Sequence, residues 1–162
     1  MISYAQKFEK ENRLTNSIHS IESNYLSGNL ILLLLGGEDF ELLYVSDKVK
    51  TQCTSVKAAK KLFGGDTVLA TSLLARINAL EKADTIKDII VQPTFHFHNL
   101  GNKHGRDLRG FFAIDVKSRR EQWRIILQPL DDNKDPFNPC YIDQISSYVR
   151  IVEITEVSKH YE

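Results

Sequence analysis

RDLRGFFAIDVKSRREQWRIILQ, residues 106–128, contains two apolar runs separated by a polar, basic segment. The runs 111–116 and 123–127 are rich in the β-branched and aromatic residues that strands favour, and 117–122 is typical of a turn. The sequence therefore predicts a β-hairpin whose turn carries several positive charges.

The register of this hairpin places Asp115 opposite Arg124, which predicts a cross-strand ion pair. The alternative is that Arg124 offers its charge to an anionic partner, since a guanidinium group presents paired donors to phosphate oxygens. Arg119 and Arg120 lie on the turn, as solvated charges or as contacts to such a partner. Strand alternation places Arg109 on the same face as Asp115.

Upstream of the hairpin, two apolar stripes follow helical spacing. The first covers residues 49–63 and the second residues 69–80. Each follows a residue suited to cap a helix, Ser46 or Asp66, and the glycine pair 64–65 separates the two stripes. A helical hairpin is therefore expected before the strands.

Two further strands are predicted, at 41–45 before the helices and at 149–154, where apolar and polar residues alternate. Residues 131–140 form a polar loop that contains two prolines. The order of helices followed by strands is typical of an α+β fold, with an N-terminal helical hairpin packed on a small, mainly antiparallel twisted sheet.

Residues 1–41 read as an N-terminal extension, a helix plus an apolar strand or linker, and residues 42–162 as the main domain. A second interpretation is that 1–41 is translated leader, because Gly-Gly-Glu before a Leu-rich run is what a purine-rich ribosome-binding site would encode. The apolar run 30–35 is far shorter than the roughly 20 residues that a membrane span needs. No membrane contact is expected.

Charge is balanced overall, with 21 basic and 21 acidic residues, but it is unevenly distributed. Residues 96–124 contain seven basic and three acidic side chains, and residues 131–162 contain three and seven. This asymmetry indicates an anionic partner on one face. Cys53 and Cys140 lack metal or redox spacing, which favours a reduced, cytoplasmic protein with Cys53 buried at an apolar helix position.

The order FHFHxL…G…LRGFFAIDV…WRIILQPL…VRIVEI…HY, over residues 42–162, resembles the RelE/HigB-type toxins of bacterial type II toxin–antitoxin systems (the RelE/ParE superfamily). The resemblance implies a RelE-like fold and a ribosome-dependent mRNA endonuclease that inhibits translation and arrests growth. It implies no cofactor and no metal, and the chain offers no carboxylate cluster suited to two-metal chemistry. The implied partners are mRNA, the ribosome and a cognate helix-turn-helix antitoxin, with DNA contacted only through the antitoxin.

The resemblance implies catalytic roles for Arg109, Arg124, His160 and Tyr161. RNA cleavage by the ribose 2′-OH needs a proton acceptor, a proton donor for the 5′-oxygen and positive charge beside the phosphorane. Arginine supplies the charge, and histidine or tyrosine moves the protons. Contacts to RNA are expected from the remaining basic side chains of this region, which are Lys103, His104, Arg106, Lys117, Arg119 and Arg120.

The C-terminus departs from the family pattern, which often ends in a compact Asp-Tyr-His. Here the order is Ser-Lys-His-Tyr, so the choice between His160 and Tyr161 stays open, with His104 as an alternative. His96 and His98 share one face of a strand; a zinc site there lacks further ligands, so a structural role at the entry to the sheet is expected.

Two other functions stay open. One is a toxin of the same fold that acts on a protein target such as gyrase, a class that usually lacks the catalytic basic residues. The other is a non-catalytic RNA- or protein-binding module. Trp123 is expected in the core by its parity with 125 and 127, although a stacking surface for a base is the alternative.

Overall fold

The computed structural model describes residues 39–101 and 107–159. Residues 39–162 form one compact unit, which contains all of the described residues. The helix and apolar strand predicted within the N-terminal extension therefore lie outside the described residues. The described part has the predicted α+β class.

In the described part of the chain, five strands form one sheet in the order β1-β5-β4-β3-β2. They are β1 (Glu41–Tyr44), β2 (His98–Asn99), β3 (Phe112–Asp115), β4 (Arg124–Leu130) and β5 (Ile151–Ser158). β1 pairs parallel with β5, and the other three pairings are antiparallel. Parallel neighbours need a long connection, and here the helices and strands β2 to β4 form the connection between β1 and β5.

The helices are α1 (Asp47–Thr54), α2 (Val56–Leu62), α3 (Thr67–Glu81), α4 (Ile86–Ile90) and α5 (Ile142–Ile145), with a 3₁₀ turn at Pro93–Phe95. The predicted caps are confirmed, since Ser46 accepts a hydrogen bond from the Val49 amide and Asp66 from the Leu69 amide. No described helix has both the length and the apolar character that crossing a bilayer requires.

The first predicted helix, over 49–63, is wrong in one respect, because Ser55 interrupts it. Ser55 has extended backbone, with φ −114° and ψ 121°, and its hydroxyl accepts a hydrogen bond from the Ala58 amide at 3.4 Å. The serine thus ends α1 and caps α2, an alternative to helix that short polar side chains offer the backbone.

The two faces of the sheet pack against different groups. The helices cover the face that presents Phe112, Ile114, Ile125 and Leu127. On the other face, a smaller cluster joins Leu100, Leu108, Ala113 and Ile126. Because side chains alternate along a strand, Asp115 shares the face of Ala113, and Arg124 shares the face of Ile126. Both charged residues therefore lie on the side away from the helices.

Candidate functional site

A row of polar residues crosses the sheet on the face away from the helices, beside the turn 117–122. Arg124 on β4 is in register with Asp115 on β3 and with Ser158 on β5. His96, just before β2, extends the row, with its Nδ1 3.5 Å from Oδ1 of Asp115. These four residues are called the polar row below.

The predicted ion pair between Asp115 and Arg124 is confirmed. Nε of Arg124 lies 3.1 Å from Oδ1 of Asp115, and the side chains are only 3% and 1% exposed. Nη1 of Arg124 also donates to the backbone carbonyls of Trp123 and Glu121. The guanidinium group therefore holds the turn in place and also compensates the charge of the carboxylate. The sequence pattern does not indicate that the pair is buried.

His96 and His98 lie close together at one end of the polar row. Their ring centroids are 5.0 Å apart, and Nδ1 of His98 lies 2.7 Å from the carbonyl oxygen of His96. His96 has left-handed backbone, with φ 48°, at the end of the 3₁₀ turn. Among residues 39–101 and 107–159, no three potential metal-ligating side chains come together.

The basic turn, defined as Lys117, Arg119 and Arg120, is exposed at the end of the β3–β4 hairpin. Beside it, Trp123 packs edge-on against Phe63, with ring centroids 4.8 Å apart, which agrees with the predicted core position of the indole. Arg120, Trp123 and Lys159 line a cleft of about 520 Å³. Nζ of Lys159 lies 5.0 Å from the Trp123 ring centroid, within cation–π range.

Arg109 lies away from the polar row. Gly110 has φ 83°, so the chain turns before β3 and strand alternation does not set the direction of the Arg109 side chain as predicted. The β3–β4 ladder extends from the pair Phe112 and Leu127 to the pair Asp115 and Arg124, about 10 Å along the strands. The two predicted catalytic arginines are therefore at opposite ends of this ladder.

The Arg109 side chain is 78% exposed and pairs with Asp107, with Nη2 2.6 Å from Oδ2. Nε of Arg109 lies 2.9 Å from the other carboxylate oxygen, so the contact is bidentate. Both residues line a cleft of about 650 Å³ that includes Gln128 and Tyr141. The hydrogen bonds that Arg109 donates from its side chain and backbone lower the pKa of Asp107 to about 2.

We expect the carboxyl carbon of Asp107 to titrate near pH 2 in a carbon-detected NMR experiment, and Arg109→Ala to return its pKa towards the ordinary 3.8. A lowered pKa means that the ion pair persists above about pH 2 and is lost as the pH falls through that value. Arg119→Ala is the control and should leave this titration unchanged. A wild-type midpoint near 4 would contradict the pairing.

Arg76 on α3 is a clamp that the sequence prediction did not identify. Its guanidinium group donates to the backbone carbonyls of Thr94, Asp115 and Lys117 at 2.6, 3.1 and 3.2 Å. It also lies 4.3 Å from the Phe95 ring centroid. These contacts join α3 to the end of β3 that leads into the turn. The only feature of the sequence that could have indicated this role is the presence of one cation, Arg76, within the mainly apolar run 73–80.

The other predicted residues lie outside the described part of the chain. These are the RNA-binding candidates Lys103, His104 and Arg106 and the catalytic candidates His160 and Tyr161. No family model, curated protein or solved structure matches the chain.

Proposed function

We propose that the chain is the toxin of a toxin–antitoxin module, a ribosome-dependent mRNA endonuclease that inhibits translation in the cytoplasm. The observation that carries the proposal is the position of the polar row, on the sheet face away from the helices and directly beside the exposed basic turn. RNA cleavage requires cationic groups near a phosphate and titratable side chains within reach of it. Both are gathered at this end of the hairpin.

The exposed cations of the basic turn are suited to the RNA backbone, because contacts to phosphate release counterions and strengthen binding. Trp123 packs on the helix-covered face, and with Lys159 it lines the cleft on that side of the basic turn, where an aromatic ring and a cation of the kind that hold single-stranded bases lie together. The enzyme uses no cofactor. A helix-turn-helix antitoxin whose acidic groups meet the basic turn would neutralise it and supply any contact with DNA.

Arg124 holds the position of the family's catalytic arginine in the WRI pattern. Because its side chain is 3% exposed, a phosphate reaches the guanidinium only after the groups that cover it move. The first contacts with RNA therefore fall to Lys117, Arg119 and Arg120. Arg109, at the other end of the ladder, contributes to a different part of the RNA path once it leaves Asp107.

The test is to express the chain in bacteria without an antitoxin, and to map mRNA ends and measure translation. We expect growth arrest and cleavage within ribosome-bound messages. If the wild-type chain neither arrests growth nor cleaves mRNA, the nuclease proposal fails. If DNA supercoiling changes instead, a gyrase-type target replaces it.

A charge-removal variant tests the surface. Lys117→Ala/Arg119→Ala/Arg120→Ala should weaken RNA binding about tenfold or more at physiological salt. It should also make the slope of log affinity against log salt shallower by about 2, because three single-strand phosphate contacts are lost. Fluorescence anisotropy of a labelled RNA at several salt concentrations measures both quantities.

The matched control removes the same charge from the helices, as Lys48→Ala/Lys50→Ala/Lys57→Ala, since these lysines are exposed on α1 and α2. An equal loss of affinity and slope in this control would mean that RNA responds to net charge, and that the basic turn is not its binding surface.

A further inference from the structure

The segment before β2 presents two imidazoles to the polar row. Phe97 stacks on Phe112, with ring centroids 5.0 Å apart, on the face that the helices cover. His98 pairs in register with Ala113, which belongs to the opposite face. The pairing with Ala113 directs His98 to the side of Asp115 and Arg124, and the 3.5 Å contact between Nδ1 of His96 and Asp115 places His96 on that side as well.

Each imidazole has its Nδ1 near an oxygen that only accepts hydrogen bonds, although only the His98 contact has hydrogen-bond geometry. Nδ1 of His98 faces the His96 carbonyl at 2.7 Å, so this nitrogen carries the hydrogen in that contact. Nδ1 of His96 is buried and lies 3.5 Å from the Asp115 carboxylate without hydrogen-bond geometry, and contacts of this kind tighten when substrate binds. In both rings Nε2 is then the nitrogen left for proton exchange.

Both rings are partly accessible. The His96 side chain is 35% exposed although its Nδ1 is buried, so the exposed part of this side chain does not include Nδ1. His98 is also half-buried. A partly exposed imidazole whose Nδ1 lies beside a carboxylate or carbonyl is suited to moving protons through Nε2.

We propose that His96 and His98 are the acid–base pair of this chain, acting on RNA at the polar row; the inference rests on the proposed nuclease function. Among residues 39–101 and 107–159, the charged groups around the pair are Asp115 on β3, Arg124 on β4 and Arg76, which reaches β3 from α3. His96 has the carboxylate as its positioning partner, as metal-free acid–base histidines commonly do.

The reaction balances with the two imidazoles alone. Neutral Nε2 of one histidine removes the proton of the ribose 2′-OH, and the 2′-oxygen forms a bond to phosphorus. The bond from phosphorus to the 5′-oxygen breaks, and the imidazolium of the second histidine gives that oxygen a proton. The products are a 2′,3′-cyclic phosphate and a 5′-hydroxyl, and the two histidines have exchanged protonation states.

Asparagine is the matched replacement at both positions. Its amide retains a donor for Asp115 or for the His96 carbonyl, and it tolerates the left-handed backbone of His96, but it does not exchange a proton. We expect His96→Asn and His98→Asn each to slow single-turnover cleavage on ribosomes by roughly 10²- to 10⁴-fold. Lys57→Ala, on an exposed surface of α2, should cleave at the wild-type rate.

The pH profile separates proton transfer from positioning. Wild-type cleavage should follow a bell-shaped profile, because one imidazole must be neutral and the other protonated, and each Asn variant should lose one limb. A substrate with sulfur as the bridging 5′ atom needs no proton on its leaving group, so it should restore the rate of only the variant that lacks the acid.

Four outcomes would overturn the inference. An inactive wild type defeats the nuclease proposal and this inference together. An active wild type with Asn variants at full rate defeats this inference alone. If the Asn variants cleave slowly but keep both limbs of the pH profile, the histidines position the RNA and do not transfer its protons. A limb that disappears in His160→Ala, with both limbs kept in the Asn variants, assigns the proton transfer elsewhere.

The tautomers provide a readout that does not depend on activity or on folded variants. In nitrogen-15 NMR spectra of the wild-type chain, the neutral forms of His96 and His98 should both carry hydrogen on Nδ1, whereas free imidazole side chains favour hydrogen on Nε2. Finding hydrogen on Nε2 in either ring would remove the geometric basis of the pair.

Discussion

Asp115→Ala is expected to lower the free energy of unfolding by about 3–5 kcal/mol. The Arg124 side chain is 3% exposed, and its Nε lies 3.1 Å from the carboxylate that this change removes. A buried guanidinium group without that carboxylate keeps its desolvation cost and loses the charge that compensates it. Urea denaturation followed by circular dichroism and by Trp123 fluorescence would measure the loss.

The control replaces both partners, as Asp115→Val/Arg124→Met. Removing the two charges together leaves no buried ion, so the double variant should be clearly more stable than Asp115→Ala. It still loses the hydrogen bonds to the Trp123 and Glu121 carbonyls, so a modest loss relative to the wild type is expected. A single variant that loses less than about 1 kcal/mol would mean that water reaches the pair.

Burial of the ion pair also affects how the activity of an Arg124 variant should be interpreted. Arg124→Ala leaves the Asp115 carboxylate buried, so a loss of RNA cleavage in that variant combines a chemical and a folding effect. Activity should therefore be compared at a temperature where each variant is fully folded, and against the double variant.

Phe112→Ala is expected to lower the free energy of unfolding by about 3–5 kcal/mol, because removing a large aromatic side chain leaves a cavity in a packed core. Phe112 is fully buried and stacks on Phe97 with ring centroids 5.0 Å apart. The neighbouring Phe111→Ala is the matched control: Phe111 is half-buried beside the smaller cluster, and its loss should be roughly 1 kcal/mol. Equal losses would contradict the assignment of the two faces.

The β3–β4 hairpin was predictable because its signals are local. Apolar runs of suitable length and a polar turn between them fix the register of Asp115 and Arg124. The caps Ser46 and Asp66 were predictable for the same reason, since a side chain three residues before an amide is enough to cap a helix.

Features that depend on distant residues were not predictable. The parallel pairing of β1 with β5 joins residues more than a hundred positions apart in the chain, and nothing in either strand specifies that partner. α4 and α5 are too short to show a helical stripe. Ser55 reads equally well as a helical position or as a cap, and packing decides between them.

The candidate site was predictable only in its residue types. The sequence places Arg124 opposite Asp115, but burial of the pair depends on what packs against the far face of the sheet. Alternation along β3 predicted the face of the Arg109 side chain, but the chain turns at Gly110, which has positive φ, so Arg109 does not continue the strand. The pattern His-Phe-His likewise does not indicate the left-handed backbone of His96. This backbone conformation accompanies the contact between the His96 carbonyl and Nδ1 of His98.

The order of the strands has a consequence for synthesis. β5 lies between β1 and β4, although the ribosome makes it after both. Until residues 151–158 emerge, β1 has no described neighbour in the sheet and the polar row lacks Ser158. Pairing over so large a sequence separation is slow and comes late in folding. In the proposed nuclease, the polar row would be complete only after β5 leaves the ribosome, and this delay would keep a nascent copy from cutting the message that encodes it.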